Sequence, residues 1–157
     1  MQEERHHTVE EFISERGIDA EVIDMGTPMK TAAAAAEVLQ TPLGSIFKSI
    51  VLVDGEGRAV VAVLPGDKRL KLKRLAELAG TKSLSFAKPD LVLRVTGYPA
   101  GGTPPLGYRE NLAVFVDEGL KQYEVGYGGG GSPELLLKIT PDELIRATGA
   151  VVSDIGE

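Results

Sequence analysis

Apolar positions along the chain follow two periods, near 3.6 and near 2 residues, and the switches between them mark out its elements. Thr8-Val9-Glu10-Glu11 has the Ser/Thr-x-x-Glu spacing of a capping box, followed by Phe12, Ile13 and a stop at Gly17. That spacing predicts a first helix over 9–16. AEVID (20–24) reads as a short strand, and Thr31 stands where it can cap the alanine run that ends before Pro42. Alanine favours helix and leaves a thin face that packs close to whatever it covers. SIFKSIVLVD (45–54) and RAVVAVLP (58–65) then flank an Asp-Gly-x-Gly segment, a strong hairpin pattern.

Within the first hairpin strand Ile46, Lys48, Ile50 and Leu52 share one face, and Phe47, Ser49, Val51 and Val53 share the other. Lys48 interrupts an apolar row. Either its ammonium reaches the strand end or a sheet edge, or it is held in a pocket to meet an anion. Further on, LKLKRLAELAG predicts a helix with a buried stripe of Leu72, Leu75, Leu78 and Ala79, closed by Gly80. A short helix over 90–96 closes at Gly97. Strands are expected at 112–117, 123–127 and 134–139, with a four-glycine tract (128–131) before the last. Thr140, Pro141 and Glu143 supply cap, N1 proline and N3 glutamate for a final helix ending at Gly149. No repeat or linker divides these elements. The expected fold is a single mixed α/β domain over 1–157, with a central mixed, largely antiparallel sheet surrounded by helices.

Composition narrows the setting. A chain of 157 residues that is 43% hydrophobic suits one core. It lacks a membrane-length apolar run, and its polar, acidic start lacks the apolar core of a signal peptide, so a cytoplasmic protein without membrane partners is expected. Cysteine is absent, which removes disulfides and thiolate chemistry. Asn111 is the one asparagine and glutamine occurs only at positions 2, 40 and 122, a scarcity of thermolabile side chains that fits a thermophilic source. The net charge of −6 argues against nucleic acid until its distribution is seen. Residues 1–24 hold eight acids and two bases, whereas Lys68, Arg69, Lys71, Lys73 and Arg74 form a basic stripe. Screening confines charge effects to about 10 Å, so such a stripe can hold phosphates on an acidic protein, or be no more than a solvated helix face.

The candidate chemistry is defined largely by what is missing. His6 and His7 lie in a terminal segment, so a Ser-His-Asp arrangement in the core and a histidine metal site are both disfavoured. No metal or cofactor is expected. Gly126, Gly128 and Gly131 match G-x-G-x-x-G, but only 26 residues follow Gly131, too few for a dinucleotide-binding unit. GYPAGGTPPLG (97–107) packs four glycines and three prolines into one loop, with Thr103 where a phosphate loop would need lysine. Glycine lets backbone amides approach a ligand closely and proline holds them rigid. The loop can therefore serve as a backbone oxyanion site, or simply be a structural connection.

The segments TAAAAA (31–36), FKSIVL (47–52), VLPGDKRL (63–70) and GYPAGGTPPLG occur in order. They resemble the YbaK/EbsC family, relatives of the editing insertion domain of bacterial prolyl-tRNA synthetases, from about residue 8 to 155. The strand lysine and the G-x-x-x-P from Gly101 to Pro105 are its most specific elements. The resemblance implies an enzyme that hydrolyses mischarged aminoacyl-tRNA, often tRNA for proline carrying a small wrong amino acid such as Ala, Cys or Ser. It implies Lys48 and Gly101 as catalytic residues. Thr31, Gly102, Thr103, Pro104, Pro105, Gly128 and Gly129 would bind substrate, and Lys68, Arg69, Lys71 and Arg74 the acceptor stem. The 2′-hydroxyl of the terminal adenosine would assist hydrolysis, and prolyl-tRNA synthetase is an implied partner. Some members carry a serine and an aspartate in the region read here as VGYGGGGSPELLLKI, where this chain has glycine and Leu136. That departure leaves the choice among small amino acids open. Two other readings also stay open, a non-catalytic module for the acceptor end or a synthetase, and a nucleotide-binding protein using the glycine tract.

Overall fold

The computed structural model describes residues 8–157. Its elements in chain order are α1 (Val9–Glu15), β1 (Ala20–Asp24), α2 (Ala32–Leu39), β2 (Phe47–Asp54), β3 (Ala59–Pro65), α3 (Leu72–Ala79) and β4 (Leu84–Phe86). They continue with α4 (Pro89–Thr96), β5 (Ala113–Asp117), β6 (Gly126–Gly129), β7 (Leu135–Ile139), α5 (Pro141–Thr148) and β8 (Val151–Ser153). No described helix is long and apolar enough to cross a membrane.

Local chemistry explains the ends of these elements. Thr8 and Glu11 form both halves of the capping box, at 3.1 and 3.0 Å. Thr31 Oγ1 accepts from the Ala34 amide (3.0 Å) and Thr140 Oγ1 from the Glu143 amide (3.2 Å). Gly80, Gly97 and Gly149 close α3, α4 and α5 in the left-handed region that glycine enters without strain. In the β2–β3 turn Asp54 Oδ1 accepts from the amides of Glu56 (2.8 Å) and Arg58 (2.9 Å).

The strands form two sheets rather than one central sheet. Five lie in the order β4-β2-β3-β5-β8 and three in the order β1-β7-β6. Four of the pairings are antiparallel; β3–β5 and β5–β8 are parallel. A parallel bridge between Ile46 and Tyr127 joins the sheets at the start of β2. The alternation expected of β2 holds: Phe47 and Val51 enter the larger core with Val61, Val63 and Leu137, while Leu52 packs with Leu64, Leu75 and Ile155 beneath α3.

Several sequence expectations need correction. The strand expected at 123–127 runs instead from Gly126 to Gly129, after a 3₁₀ turn over Glu118–Gln122. Two of the tract's glycines are therefore strand residues, because only glycine fits where β6 passes beneath the 97–107 loop. In α3 the fully covered pair is Leu75 and Ala76, while Leu72, Leu78 and Ala79 are half-buried. The short strands β4 and β8 carry no periodic signal of their own and exist through their neighbours.

One long-range device ties the far end of the chain to the sheet. Asp117, fully buried, accepts on Oδ1 from the amides of Ile155 (3.0 Å) and Gly156 (2.9 Å), and on Oδ2 from Gly119 (3.0 Å). Residues 155–157 then pair with 69–71, with Arg69 and Glu157 exchanging amide–carbonyl bonds of 2.9 and 2.8 Å. This carboxylate anchors the segment that carries the basic stripe.

Candidate active site

The Gly/Pro loop is a tightly bonded object. Its middle is a 3₁₀ turn over Ala100–Gly102, in which the Gly102 amide donates to the Pro99 carbonyl (2.9 Å). Thr103 is buried and donates its hydroxyl to Pro99 O at 3.2 Å. Tyr108 donates its hydroxyl to Pro104 O at 2.7 Å. Burial pushes the Tyr108 phenol well above its ordinary range, and burial followed by the Glu11 carboxylate pushes Tyr98 up to about 12. Both phenols remain protonated at neutral pH. From the other side Gly131 donates to Gly102 O (2.9 Å), so loop and glycine tract hold each other.

The glycines here have different jobs. A Cβ on Gly102 would lie 2.6 Å from Ser132 N, on Gly129 2.2 Å from Thr103 O, and on Gly130 2.6 Å from the Leu135 carbonyl carbon. On Gly128 it would meet Pro105 Cδ at 3.0 Å. Gly102, Gly129 and Gly130 are glycine because backbone packs against them, and Gly128 because the Pro105 ring does. Gly101 differs: it is exposed, its φ is not left-handed, and its nearest neighbour would be Pro133 Cγ at 3.9 Å. Neither packing nor backbone geometry requires glycine there. With Gly102 engaged and Pro104 and Pro105 lacking N–H groups, Ala100 and Gly101 are the loop's exposed amide carriers.

Lys48 is the second residue of β2, the strand that the loop covers. Phe47 O is 3.9 Å from where a Gly128 Cβ would stand, so strand, tract and loop converge there. The half-buried Lys48 side chain takes the opposite face of β2, and its ammonium donates to the Lys68 carbonyl. An ammonium carries three donors, so two remain for another acceptor. Among the described contacts none joins Lys48 to Gly101. Thr31 acts as the α2 cap, and Leu136 is buried with Ala35, Ala36 and Ile46. His6 and His7 lie outside the described residues. Among the described residues no cluster of three or more His, Asp or Glu could hold a metal.

The basic stripe is largely balanced. Lys68 Nζ lies 4.0 Å from Asp117 Oδ2, Lys71 Nζ 2.9 Å from Asp154, and Arg74 3.8 Å from Glu77. The hydrogen bond from Lys71 holds the Asp154 carboxyl below its usual range. Arg69 and Lys73 are exposed and make no ion pair among the described residues.

Sequence reasoning passed over Ser49 and Phe86. They line a pocket of about 180 Å³ with Ile50, Val51, Ala100 and Thr103, beside Gly101. Ser49 Oγ is the one buried side-chain polar atom without a hydrogen-bond partner among the described residues. Its signal was available: Ser49 breaks its apolar row just as Lys48 breaks the opposite one. Larger hollows of about 360 and 430 Å³ lie elsewhere and include neither Lys48 nor Gly101.

Residues 27–147 match the family model described as the aminoacyl-tRNA editing domain. Over 125 residues the chain is 30% identical to the "Putative Cys-tRNA(Pro)/Cys-tRNA(Cys) deacylase EbsC" of Enterococcus faecalis, covering 80% of this chain and 76% of that protein. It is 39% identical over 88 residues to the proline–tRNA ligase of Trichlorobacter lovleyi, covering 56% of this chain and 15% of that enzyme. A solved structure described as "a putative trans-editing enzyme for prolyl tRNA synthetase" superposes with a TM-score of 0.86 at 35% identity, covering 92% of each chain.

Proposed function

The chain belongs to the aminoacyl-tRNA editing domain family, and from that premise we propose that it hydrolyses, in trans, the ester of a mischarged aminoacyl-tRNA. The names of its relatives point to tRNA(Pro) and prolyl-tRNA synthetase. The proposed substrate is accordingly tRNA-Pro carrying alanine, cysteine or serine, delivered by that synthetase in the cytoplasm.

Gly101 carries this reading. A glycine that neither packing nor φ demands is best explained by something that must come close to its backbone. The exposed Ala100 and Gly101 amides would face the ester carbonyl, on a turn braced by Thr103 and the prolines. Water adds to the carbonyl carbon and negative charge develops on its oxygen. A positioned amide donor there is worth about 3–4 kcal/mol. The bond to the 3′-oxygen then breaks, and the water proton reaches that oxygen through the neighbouring 2′-hydroxyl. The products are a free amino acid and uncharged tRNA. With cysteine absent from the chain, a substrate hydroxyl is a reasonable relay. Lys48, with two remaining donors, would bind the phosphate or terminal nucleoside.

The test is a deacylation panel of Ala-, Cys-, Ser- and Pro-charged tRNAs with wild type and Lys48→Ala. Selective hydrolysis of one or more of the first three, lost in the variant, is expected. A flat panel with tight binding would make the protein a non-catalytic acceptor-end module.

A further inference from the structure

The pocket beside Gly101 is built like a notch in a sheet. Strand β3 covers one side of β2 from Phe47 to Val53. On the other side β4 pairs only from Leu52 to Asp54, and Tyr127 bridges only at Ile46. Between them no strand of the described residues lies against β2. The Ala87 amide donates to Val51 O at 3.0 Å on this side, so strand alternation turns the amide and carbonyl of Ser49 to it as well. The partnerless Ser49 hydroxyl belongs to the same residue. An unsatisfied buried hydroxyl is costly, and here it coincides with an open strand edge.

Phe86 ends β4 on the rim of this notch, and the residue is 60% exposed. A single exposed apolar side chain is ordinary. An exposed aromatic beside an unpaired donor–acceptor edge and an orphan hydroxyl is a more specific combination. It offers a face to stack on and an edge to bond, which are the two things an unstacked nucleobase presents. At about 180 Å³ the notch is smaller than a site for a whole ligand and suits one ring system. A small amino-acid side chain would cover little of the ring, and even a serine hydroxyl could bond only part of the polar edge that the Ser49 amide, carbonyl and hydroxyl present.

We propose that this notch holds the unpaired 3′-terminal base of the tRNA, stacked on Phe86 with its edge on Ser49. The inference rests on the editing reading for its substrate, and it places the terminal ribose beside Ala100 and Gly101. Phe86 then sets affinity and position, and Ser49 the hydrogen-bonding pattern accepted.

The probe is an uncharged tRNA acceptor hairpin with 2-aminopurine at its 3′ end, whose fluorescence is quenched on stacking. Wild type should quench it. Phe86→Ala should abolish the quench and weaken binding by roughly 5- to 150-fold, Phe86→Trp should restore it, and melting temperature should hold because Phe86 is exposed. Ser49→Ala should reduce affinity with the quench retained. With charged tRNA, Phe86→Ala should raise KM more than it lowers kcat. Equal quenching by wild type and Phe86→Ala overturns the base notch and leaves deacylation standing. Quenching that depends on Phe86 without hydrolysis of any charged tRNA keeps the notch and removes the editing reading.

Discussion

Gly101→Ala separates a ligand-driven glycine from a packing-driven one. The added methyl group meets nothing nearer than Pro133 Cγ at 3.9 Å, and the backbone is not left-handed. The folded state should accept it. Removing glycine also restricts the unfolded chain, worth about 0.4–1 kcal/mol in favour of folding, or a rise of at most about 4 °C in Tm for a chain of this size. Activity should move the other way. If the ester carbonyl sits against this backbone, the methyl displaces it and removes most of a contact worth about 3–4 kcal/mol, lowering kcat/KM by roughly 10²–10³. Gly102→Ala is the contrasting control. There the methyl would come within 2.6 Å of the Ser132 backbone, and overpacking of about 1–3 kcal/mol should lower Tm together with activity. Single-turnover deacylation and thermal unfolding, run on both variants, read the two effects independently. If Gly101→Ala melts like wild type and retains kcat/KM within about threefold, the carbonyl does not approach Gly101.

Asp117→Ala should destabilise strongly, because it leaves the amides of Gly119, Ile155 and Gly156 unbonded at about 1–3 kcal/mol for each that stays dry; Asp117→Asn, which keeps an acceptor oxygen, should cost less in urea titrations. Glu143 is held at about 2, first by the hydrogen bond from Arg146 and then by the Asp19 amide. Its folded pKa is depressed, so its contribution is present above the ordinary carboxylate range and fades as pH falls from about 4.5 toward 2; Glu143→Gln should flatten stability across that window in acid-unfolding curves. If the acceptor stem runs along the basic stripe, the two unpaired cations Arg69 and Lys73 should dominate its salt dependence. Replacing both with alanine should then reduce the log–log slope of binding by about 2, and an unchanged slope places the RNA elsewhere.

Lys48 and Gly101 show what sequence reasoning could say of the candidate site. Both stood out locally, one as a cation in an apolar row and the other inside an unusual loop. What each touches was not legible. The Lys48 ammonium bonds a carbonyl twenty residues away, and Lys68, Lys71 and Arg74, read as phosphate ligands, have carboxylate neighbours from distant elements or the next helical turn. Ser49 was read only as one member of its strand face, because a hydroxyl in a strand is ordinary until its partners are counted. The strand at Gly126–Gly129 was misplaced because tyrosine and valine at 123–127 have the better strand propensity.

The amino-acid sequence alone determined the helix caps, the β2–β3 hairpin, the two faces of β2 and the rigid Gly/Pro loop. Each follows from interactions within a few residues, where side-chain period and backbone preference suffice. Tertiary structure decided that there are two sheets, that β6 runs through the glycine tract, that Gly101 alone among the compared glycines at this loop and tract has open space, and that β2 leaves a notch at Ser49. Those outcomes depend on which distant segment lies against a residue, and burial or pairing of that kind has no local signature.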